Sequence, residues 1–210
     1  KVMRKILTQK FFERSAVVVA RELLGKFLCR ATSIRRRTSK CYMITETEAY
    51  VGPKDKASHA HRGQTARNAP MFGPAGRWYV YFTYGTHWML NIVTGREGYP
   101  AAVLIRGGLL FDEEAKQPFC FSRRLEVVRS APNPQKGSWL SLNGPAKLTK
   151  FLKINKRFNN KPSTKKTGLW IEDRGVKIKP SQIKRAPRVG VDYAGKWAKK
   201  PYRFFINSML

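Results

Sequence analysis

Short segments in which hydrophobic and polar positions alternate are spread along this 210-residue chain, and a helical spacing replaces them in only a few places. Residues 26–32 and 41–50 are rich in strand-forming side chains and are separated by a basic connection, which predicts an antiparallel pair of strands. Ahead of them, Ser15 and Gly25 have the positions of an N-cap and a C-terminal stop, so the pattern predicts a helix over residues 16–24.

The second half of the pattern contains the clearest hairpin signal, over residues 77–84 and 87–94 with Gly85 at the turn. Residues 51–76 contain many glycines and prolines and are predicted to be a long loop of the kind that often carries function. The remaining predicted elements are a strand over 101–106 and helices over 119–129 and 146–153. Because strands and helices do not alternate regularly, we expect an α+β domain around a mixed or antiparallel sheet.

Charge changes the picture more than any other feature of the composition. The chain has 42 Lys and Arg against 13 Asp and Glu, a formal charge of +29 at pH 7. This excess predicts a polyanionic partner, with an enzyme acting on an acidic substrate as the alternative. We expect no membrane interaction, since every apolar run is far shorter than the roughly 18 residues of a membrane span.

The numbers and spacing of the cysteines and histidines argue against a fold that depends on disulfides or on a metal. The three cysteines, Cys29, Cys41 and Cys120, contain no CxxC pair, which argues against a disulfide scaffold and indicates a reducing compartment. His59 and His61 lack a partner motif for zinc, so no metal is predicted. Without a phosphate-loop or dinucleotide motif, we also expect no nucleotide cofactor. No secretion signal is visible, and the predicted location is the cytoplasm (nucleoid) or the nucleus.

Two carboxylates, Glu46 and Glu48, are conspicuous on a chain with so few acids. Strand alternation predicts that Tyr42, Ile44, Glu46, Glu48 and Tyr50 share one face. A carboxylate pair of this kind can raise the pKa of one group while the other stays ionised, which is useful for activating water. The alternative interpretation is a pair of surface salt bridges to the arginines of the preceding loop.

The hairpin segment is unusually aromatic, which suits either a hydrophobic core strand or a platform for stacking bases. We expect both, with one face packed inward and the other facing a site. Tyr84 differs from the others because it lies beside Gly85 at the hairpin tip, a position that favours insertion into a partner. The aromatic positions are Trp78, Tyr79, Tyr81, Phe82, Tyr84 and Trp88.

Taken together, these residues resemble the alkyladenine (3-methyladenine) DNA glycosylases of the alkylpurine type. The matching motifs follow one another along nearly the whole chain, so the resemblance is specific to this family. They include ETEAYVGP at 46–53, ASH at 57–59, QTARN at 64–68, YVYFTYG at 79–85, VLIR at 103–106, GPAKL at 144–148 and RVGV at 188–191. The departures are a loop after His59 that is one residue shorter, and Asn143 in place of a common Ser.

The resemblance implies a catalytic group and its helpers. Glu48 would be the general base that deprotonates a water molecule, while Arg106 and the backbone carbonyl of Val189 hold that water for attack on the anomeric carbon. Glu46 would have only a supporting role. No lysine is indicated as a Schiff-base nucleophile, so the implied enzyme cleaves the N-glycosidic bond and has no lyase activity.

The resemblance also implies a pocket for a nucleotide flipped out of the duplex. Tyr50 would stack on one face of the base, and His59 and Tyr81 would press on the other. The backbone amide of His59 would read the purine edge at position 6. Asn91 would lie where the amino group of a normal guanine must clash.

The hairpin tip would enter the DNA. Tyr84 would fill the gap left by the flipped nucleotide, beside Thr86, which stands where a larger apolar residue often follows the wedge. Because Tyr81 and Asn91 must face the same pocket, we predict a three-residue loop, residues 84–86. A two-residue loop would place them on opposite faces.

The function implied by the resemblance is a monofunctional DNA glycosylase of base excision repair. It would act as a monomer on double-stranded DNA and release 3-methyladenine and 7-methylguanine, with hypoxanthine and ethenoadenine as further candidates. The expected fold is a single domain, residues 1–210, with a curved, mainly antiparallel sheet flanked by helices and a protruding aromatic hairpin. Two alternatives stay open: a non-catalytic nucleic-acid-binding protein on the same scaffold, and ordinary glycoside hydrolysis of sugars, which the charge does not explain.

Overall fold

A computed structural model of the chain describes residues 4–33, 38–83, 85–111 and 141–207. Its strands are β1 (Lys5–Ile6), β2 (Phe27–Ser33), β3 (Thr38–Val51), β4 (Trp78–Thr83), β5 (His87–Val93), β6 (Ala101–Phe111), β7 (Ser141–Asn143), β8 (Leu169–Asp173), β9 (Ile183–Ala186) and β10 (Arg203–Ile206). Its α-helices are α1 (Gln9–Phe12), α2 (Ala16–Glu22) and α3 (Pro145–Phe151). Four 3-10 helices lie at Ala69–Phe72, Lys156–Phe158, Pro180–Gln182 and Asp192–Trp197.

The strands form one open sheet in which every pairing among the described residues is antiparallel. Its central path runs β1-β8-β2-β3-β6-β5-β4. The long strands β3 and β6 pair with each other along their length, and each has two further partners: β2 and β10 on β3, and β5 and β7 on β6. With its few helices this is an α+β fold in a single domain, as predicted. Among the described helices, none is both long and apolar enough to cross a lipid bilayer.

Helix α2 covers the middle of the sheet and closes the main hydrophobic core. The Ser15 side chain accepts a hydrogen bond from the Val18 amide, and Gly25 follows the helix with a φ of +81°, so both end signals read from the sequence are confirmed. Val19, Ala20 and Leu23 are fully buried in this core. Burying each large aliphatic side chain stabilises the fold by about 1.5–3 kcal/mol.

A β-bulge in β3 decides which way the strand's side chains point. The pairing of β3 with β6 passes from Ile44 opposite Gly108 to Glu46 opposite Gly107 and then to Thr47 opposite Ile105, so Thr45 on β3 and Arg106 on β6 are both skipped in the register. Before the bulge, even-numbered residues such as Ile44 face the main core; after it, the core receives odd-numbered residues such as Ala49. The prediction that Tyr42 and Ile44 share a face with Glu46, Glu48 and Tyr50 is therefore wrong, because it assumes unbroken alternation across this irregular pairing.

The hairpin of β4 and β5 has the predicted three-residue loop. Thr83 pairs with His87, Tyr81 with Met89 and Tyr79 with Asn91. Tyr81 and Asn91 are therefore on one face of the ribbon, as the proposed pocket requires. Tyr84 itself, and the predicted helix over 119–129, lie outside the described residues.

The cysteines differ from the expectation. Cys29 and Cys41 are directly opposite each other on β2 and β3, with 4.1 Å between their Cα atoms, and are joined by a disulfide. Both are buried in a second core cluster with Met43 and Trp170. The odd count and the missing CxxC motif gave no hint of this bond, because strand register alone brings the two residues together. Cys120 lies outside the described residues.

Candidate active site

A cavity of about 310 Å³ opens between β3, the β4–β5 hairpin, β6 and the segment after β9. Its volume lies at the lower end of the range for small-molecule sites. The cavity collects seven sequence-predicted residues from five separate parts of the chain. They are Glu48, Tyr50, His59, Tyr81, Asn91, Arg106 and Val189.

Glu48 is the most buried charged group in the cavity wall, with no solvent-exposed surface. One carboxylate oxygen, Oε1, accepts a hydrogen bond from the Val189 amide at 2.9 Å and lies 3.3 Å from Nη1 of Arg106. The other, Oε2, accepts a hydrogen bond from the Tyr50 hydroxyl at 2.9 Å. The burial of Glu48 raises its pKa above the ordinary value for a glutamate, although Arg106 and these hydrogen bonds pull it down.

Glu46 supports this carboxylate through Arg106. Its Oε1 accepts hydrogen bonds from Nε of Arg106 at 3.0 Å and from Nη1 of Arg203 at 3.2 Å. Arg106 therefore bridges Glu46 and Glu48, and its guanidinium orientation is set by both. Since Glu46 is only 5% exposed and Glu48 is fully buried, the interpretation of this pair as surface salt bridges is wrong.

Val189 contributes to the site through its backbone. Its side chain is half exposed, while its amide points inward to Glu48. The prediction had assigned the carbonyl of Val189 to a bound water, and that role stays a prediction. The amide contact is an additional one that the sequence did not indicate.

An aromatic wall lies on the hairpin side of the cavity. The ring centroids of His59 and Tyr81 are 4.5 Å apart, and Nδ1 of His59 is 3.0 Å from the Tyr79 hydroxyl. The Arg67 guanidinium lies 5.3 Å from the centre of the Tyr81 ring. Desolvation of the His59 ring, followed by the nearby Arg67 cation, lowers the pKa of His59. At pH 7 this histidine is therefore neutral.

The other two predicted pocket residues, Asn91 and Tyr50, are also fixed by hydrogen bonds. Asn91 is 3% exposed, and its Nδ2 donates to the Tyr79 carbonyl at 3.1 Å. Desolvation and the adjacent Glu48 raise the pKa of Tyr50 well above its usual value, so its hydroxyl remains a hydrogen-bond donor.

Thr86, predicted to enter DNA, is exposed in the hairpin loop, where its amide donates to the Thr83 carbonyl at 3.1 Å.

Other cavity residues were not singled out from the sequence. Met71, Pro145 and Tyr193 come from the long loop, the start of α3 and the 3-10 helix after β9. Tyr193 is 70% exposed, and its hydroxyl donates to the Ala57 carbonyl at 3.4 Å. No motif or spacing would have brought these three positions together.

Among the described residues, the single group of three potential metal ligands lies away from the cavity. It consists of Cys29, Cys41 and Glu172, and the two sulfurs are already bonded to each other. The polar groups that line the cavity instead suit acid–base chemistry. They are one buried carboxylate, one guanidinium and several phenol hydroxyls.

Comparison with known proteins gives a consistent picture. A family model described as methylpurine-DNA glycosylase (MPG) matches residues 10–209. A protein of Methanocella arvoryzae is 41% identical over 201 residues, covering 95% of this chain and 92% of its own length. A protein of Ehrlichia chaffeensis is 39% identical over 204 residues, covering 97% and 94%. Both carry the name "Putative 3-methyladenine DNA glycosylase".

Proposed function

Since the chain belongs to the methylpurine-DNA glycosylase family, a family of DNA repair enzymes, we propose that it is a monofunctional glycosylase that hydrolyses the N-glycosidic bond of damaged purines in double-stranded DNA. The observation that carries the proposal is the buried carboxylate of Glu48, held by three donors in the wall of a cavity of about 310 Å³. Burial raises its pKa, which makes this group a better proton acceptor than an ordinary surface glutamate.

The reaction needs only water as a co-reactant. Glu48 takes a proton from the water, whose oxygen forms a bond to the anomeric carbon of the flipped nucleotide. The N-glycosidic bond breaks, and its electron pair leaves with the purine. An alkylated purine carries a positive charge that this electron pair neutralises, so it departs more readily than a normal base.

Arg106 and the Val189 backbone complete the catalytic part of the proposal. Arg106 and the Val189 amide already contact the same oxygen of Glu48, so a water held by that oxygen would also lie close to Arg106, and we propose that the Val189 carbonyl helps to hold it. None of the described residues that line the cavity is a lysine. We therefore expect an intact abasic site as the product, with no strand cleavage.

The aromatic residues suit a planar, electron-poor ligand. Tyr50, His59 and Tyr81 all line the cavity, and a cationic purine stacks on aromatic faces more strongly than a neutral one. A neutral His59 adds no positive charge that would repel such a base. Asn91, fixed by its bond to the Tyr79 carbonyl, is the residue we propose to exclude the amino group of normal guanine.

DNA binding belongs to the basic surface and the hairpin tip. The charge of +29 suits a polyphosphate backbone, and Tyr84 with Thr86 would enter the duplex from the tip. Unstacking and flipping one nucleotide costs a few kcal/mol, least for a damaged or mispaired base. Damaged purines would therefore reach the cavity more often than normal ones.

The test is base release under single-turnover conditions from duplexes that each contain one lesion: 3-methyladenine, 7-methylguanine, hypoxanthine or ethenoadenine. An undamaged duplex serves as the substrate control. For Glu48→Gln we expect a loss of at least about 100-fold in the release rate, in the range that a positioned proton acceptor contributes. Duplex affinity should stay within a few-fold of wild type, since Glu48 is buried.

The same experiment separates the alternative function. A protein that binds the duplexes tightly but releases none of the four bases would be a non-catalytic DNA-binding protein on this scaffold. Release that persists in Glu48→Gln would remove Glu48 from the role of general base.

A further inference from the structure

A buried ion pair, Asp55 with Arg188, lies beside the cavity and is not itself part of its lining. Neither side chain has solvent-exposed surface. Nη1 of Arg188 is 2.5 Å from Oδ2 of Asp55, and Nη2 is 2.8 Å from Oδ1, so the contact is bidentate. This two-pronged geometry fixes the direction of both groups as well as their distance.

The hydrogen bonds that remain on this pair all go to backbone groups of three different segments. Asp55 accepts from the amides of Val51 and Ala57, both at 3.1 Å. Arg188 donates to the carbonyls of Ala49 at 2.9 Å and Trp197 at 3.2 Å. The pair therefore ties the end of β3, the start of the long loop and the segment after β9 to one another.

Each of these segments carries a residue of the proposed site next to its attachment point. Ala49 and Val51 flank Tyr50 on β3, and Ala57 precedes His59 by two residues. Arg188 is followed directly by Val189, whose amide donates to Glu48 at 2.9 Å.

The Arg188 guanidinium also contacts one of these residues itself. Its central carbon lies 4.8 Å from the centre of the Tyr50 ring. The pair thus contacts, or lies near in the chain to, three of the residues that would act on the substrate: Tyr50, His59 and Val189.

Stability alone gives a weak reason for such a pair. Removing two charges from water costs free energy that their mutual attraction often fails to exceed, and an apolar pair of similar volume can be as stable. The fixed geometry is what an apolar pair would lack. A preorganised site needs its groups held within a fraction of an ångström.

We infer that Asp55 and Arg188 are positioning residues, which hold the Val189 amide on Glu48 and keep the Tyr50 and His59 walls of the cavity in place before DNA binds. The inference rests on the proposed function, because it assigns a task to residues that surround the proposed general base. It predicts that loosening the pair harms the chemical step more than it harms duplex binding.

The chain offers a matched control in a second buried ion pair, Glu172 with Arg174. Nε of Arg174 is 2.7 Å from Oε1 of Glu172, and the two side chains are 5% and 4% exposed. Glu172 lies on β8, outside the cavity lining. Asp55→Asn and Glu172→Gln therefore each neutralise one carboxylate of a buried pair, and they differ in their position relative to the site.

The experiment compares Asp55→Asn, Arg188→Lys and Glu172→Gln with wild type in single-turnover base release and in duplex affinity. We expect Asp55→Asn and Arg188→Lys to lower the release rate by about 10–100-fold, because a misplacement of about 1 Å in a catalytic site can cost about 100-fold. Lysine keeps the charge but cannot form the bidentate contact. Glu172→Gln should change the rate by less than about two-fold in protein that remains folded, as judged by its melting temperature.

A second measurement is independent of activity: amide hydrogen exchange of Val189 by NMR in the DNA-free protein. We expect the Val189 amide to exchange faster in Asp55→Asn while the amides of central β3 stay protected, and to be unchanged in Glu172→Gln. A Val189 amide and a release rate that both remain at wild-type values in folded Asp55→Asn would overturn the inference. If wild type released no base, the proposed function would fail, and the exchange measurement would still decide whether the pair positions Val189.

Discussion

At the scale of single residues, the properties of this site come from burial. Glu48 carries the same carboxyl group as any glutamate, but its side chain is closed off from water and contacts Arg106, Tyr50 and the Val189 amide. Burial raises its pKa and the neighbouring donors lower it, with burial the larger effect. The carboxylate is therefore both ionisable and more basic than it would be in solution.

This balance predicts how base release depends on pH. As general base, Glu48 must be ionised, so the release rate should increase with pH and level off above the pKa of Glu48. Because that pKa is raised from 4.5, the acid limb should lie at higher pH than it would for an ordinary glutamate. The measurement is the single-turnover rate against pH on a 7-methylguanine duplex, with duplex binding followed over the same range.

Arg106→Met provides the directional control for this prediction. Its guanidinium is the largest influence that lowers the pKa of Glu48, so its removal should move the acid limb to still higher pH. An acid limb at or below pH 4.5 in wild type would contradict the raised pKa of Glu48. A limb that moves to lower pH in Arg106→Met would contradict the assigned electrostatics.

At the scale of elements, the bulge in β3 and the loop of the β4–β5 hairpin decide which side chains meet. The irregular pairing at Thr45 turns Glu48 and Tyr50 to the cavity after Ile44 has faced the core. The three-residue loop of the hairpin places Tyr81 and Asn91 on the face that the cavity uses. Either feature, shifted by one residue, would separate the side chains that we propose to contact the base from Glu48.

The turn at the end of β3 offers a test at this scale. Gly52 has a φ of +83°, and a Cβ there would lie 2.4 Å from the Tyr99 ring. We expect Gly52→Ala to lower the free energy of unfolding by about 2–4 kcal/mol, from left-handed backbone strain plus displacement of a packed ring. Displacing Tyr99 also breaks its hydroxyl's hydrogen bond to the Val51 carbonyl. Urea denaturation measures the change.

Gly63→Ala is the matched control in the same loop. Gly63 has a φ of +95°, and nothing lies within 4 Å of a Cβ built there. It should therefore show only the backbone strain, about 1–2 kcal/mol. Equal losses for the two variants would mean that contact with Tyr99 does not contribute.

At the scale of the whole molecule, we assign DNA affinity and base selection to two different features, the net charge and the cavity. In the proposed function, the formal charge of +29 would supply affinity for any duplex, while the cavity would select the base. The exposed lysines Lys199 and Lys200 follow the 3-10 helix that brings Tyr193 to the cavity rim. Lys177 and Lys179 are equally exposed, and Lys177 lines a separate groove beside α2 and β1.

Salt dependence of duplex binding tests this division. The logarithm of the binding constant should fall linearly with the logarithm of salt concentration, by about 0.9 for each phosphate contact. The double variant Lys199→Gln/Lys200→Gln should reduce the slope by about 2. The matched double variant Lys177→Gln/Lys179→Gln should leave the slope near wild type. Equal effects of the two double variants would mean that DNA does not prefer the cavity face.

Much of the fold was predictable because it depends on local signals. The α2 helix between Ser15 and Gly25, the hairpin around Gly85 and the antiparallel pairing of β2 with β3 all follow from short stretches of sequence. The irregular pairing at Thr45 was not predictable, because it depends on how β3 and β6 align with each other, and no local sequence signal marks it. The Cys29–Cys41 disulfide was missed for a related reason. It depends on the register of β2 and β3, which the spacing of cysteines along the chain does not reveal.

The sequence by itself determined the chemical inventory of this protein: a strongly basic chain, two glutamates on one strand, an aromatic hairpin and motifs that identify the family. Only the tertiary structure decided the environment of these groups. It buried Glu48, brought the Val189 amide to it from 141 positions away along the chain, and tied both to the Asp55–Arg188 pair. The physical reason is that residue types and short secondary-structure signals depend on neighbouring positions in the chain. Burial and long-range hydrogen bonds, by contrast, form only when distant segments pack together.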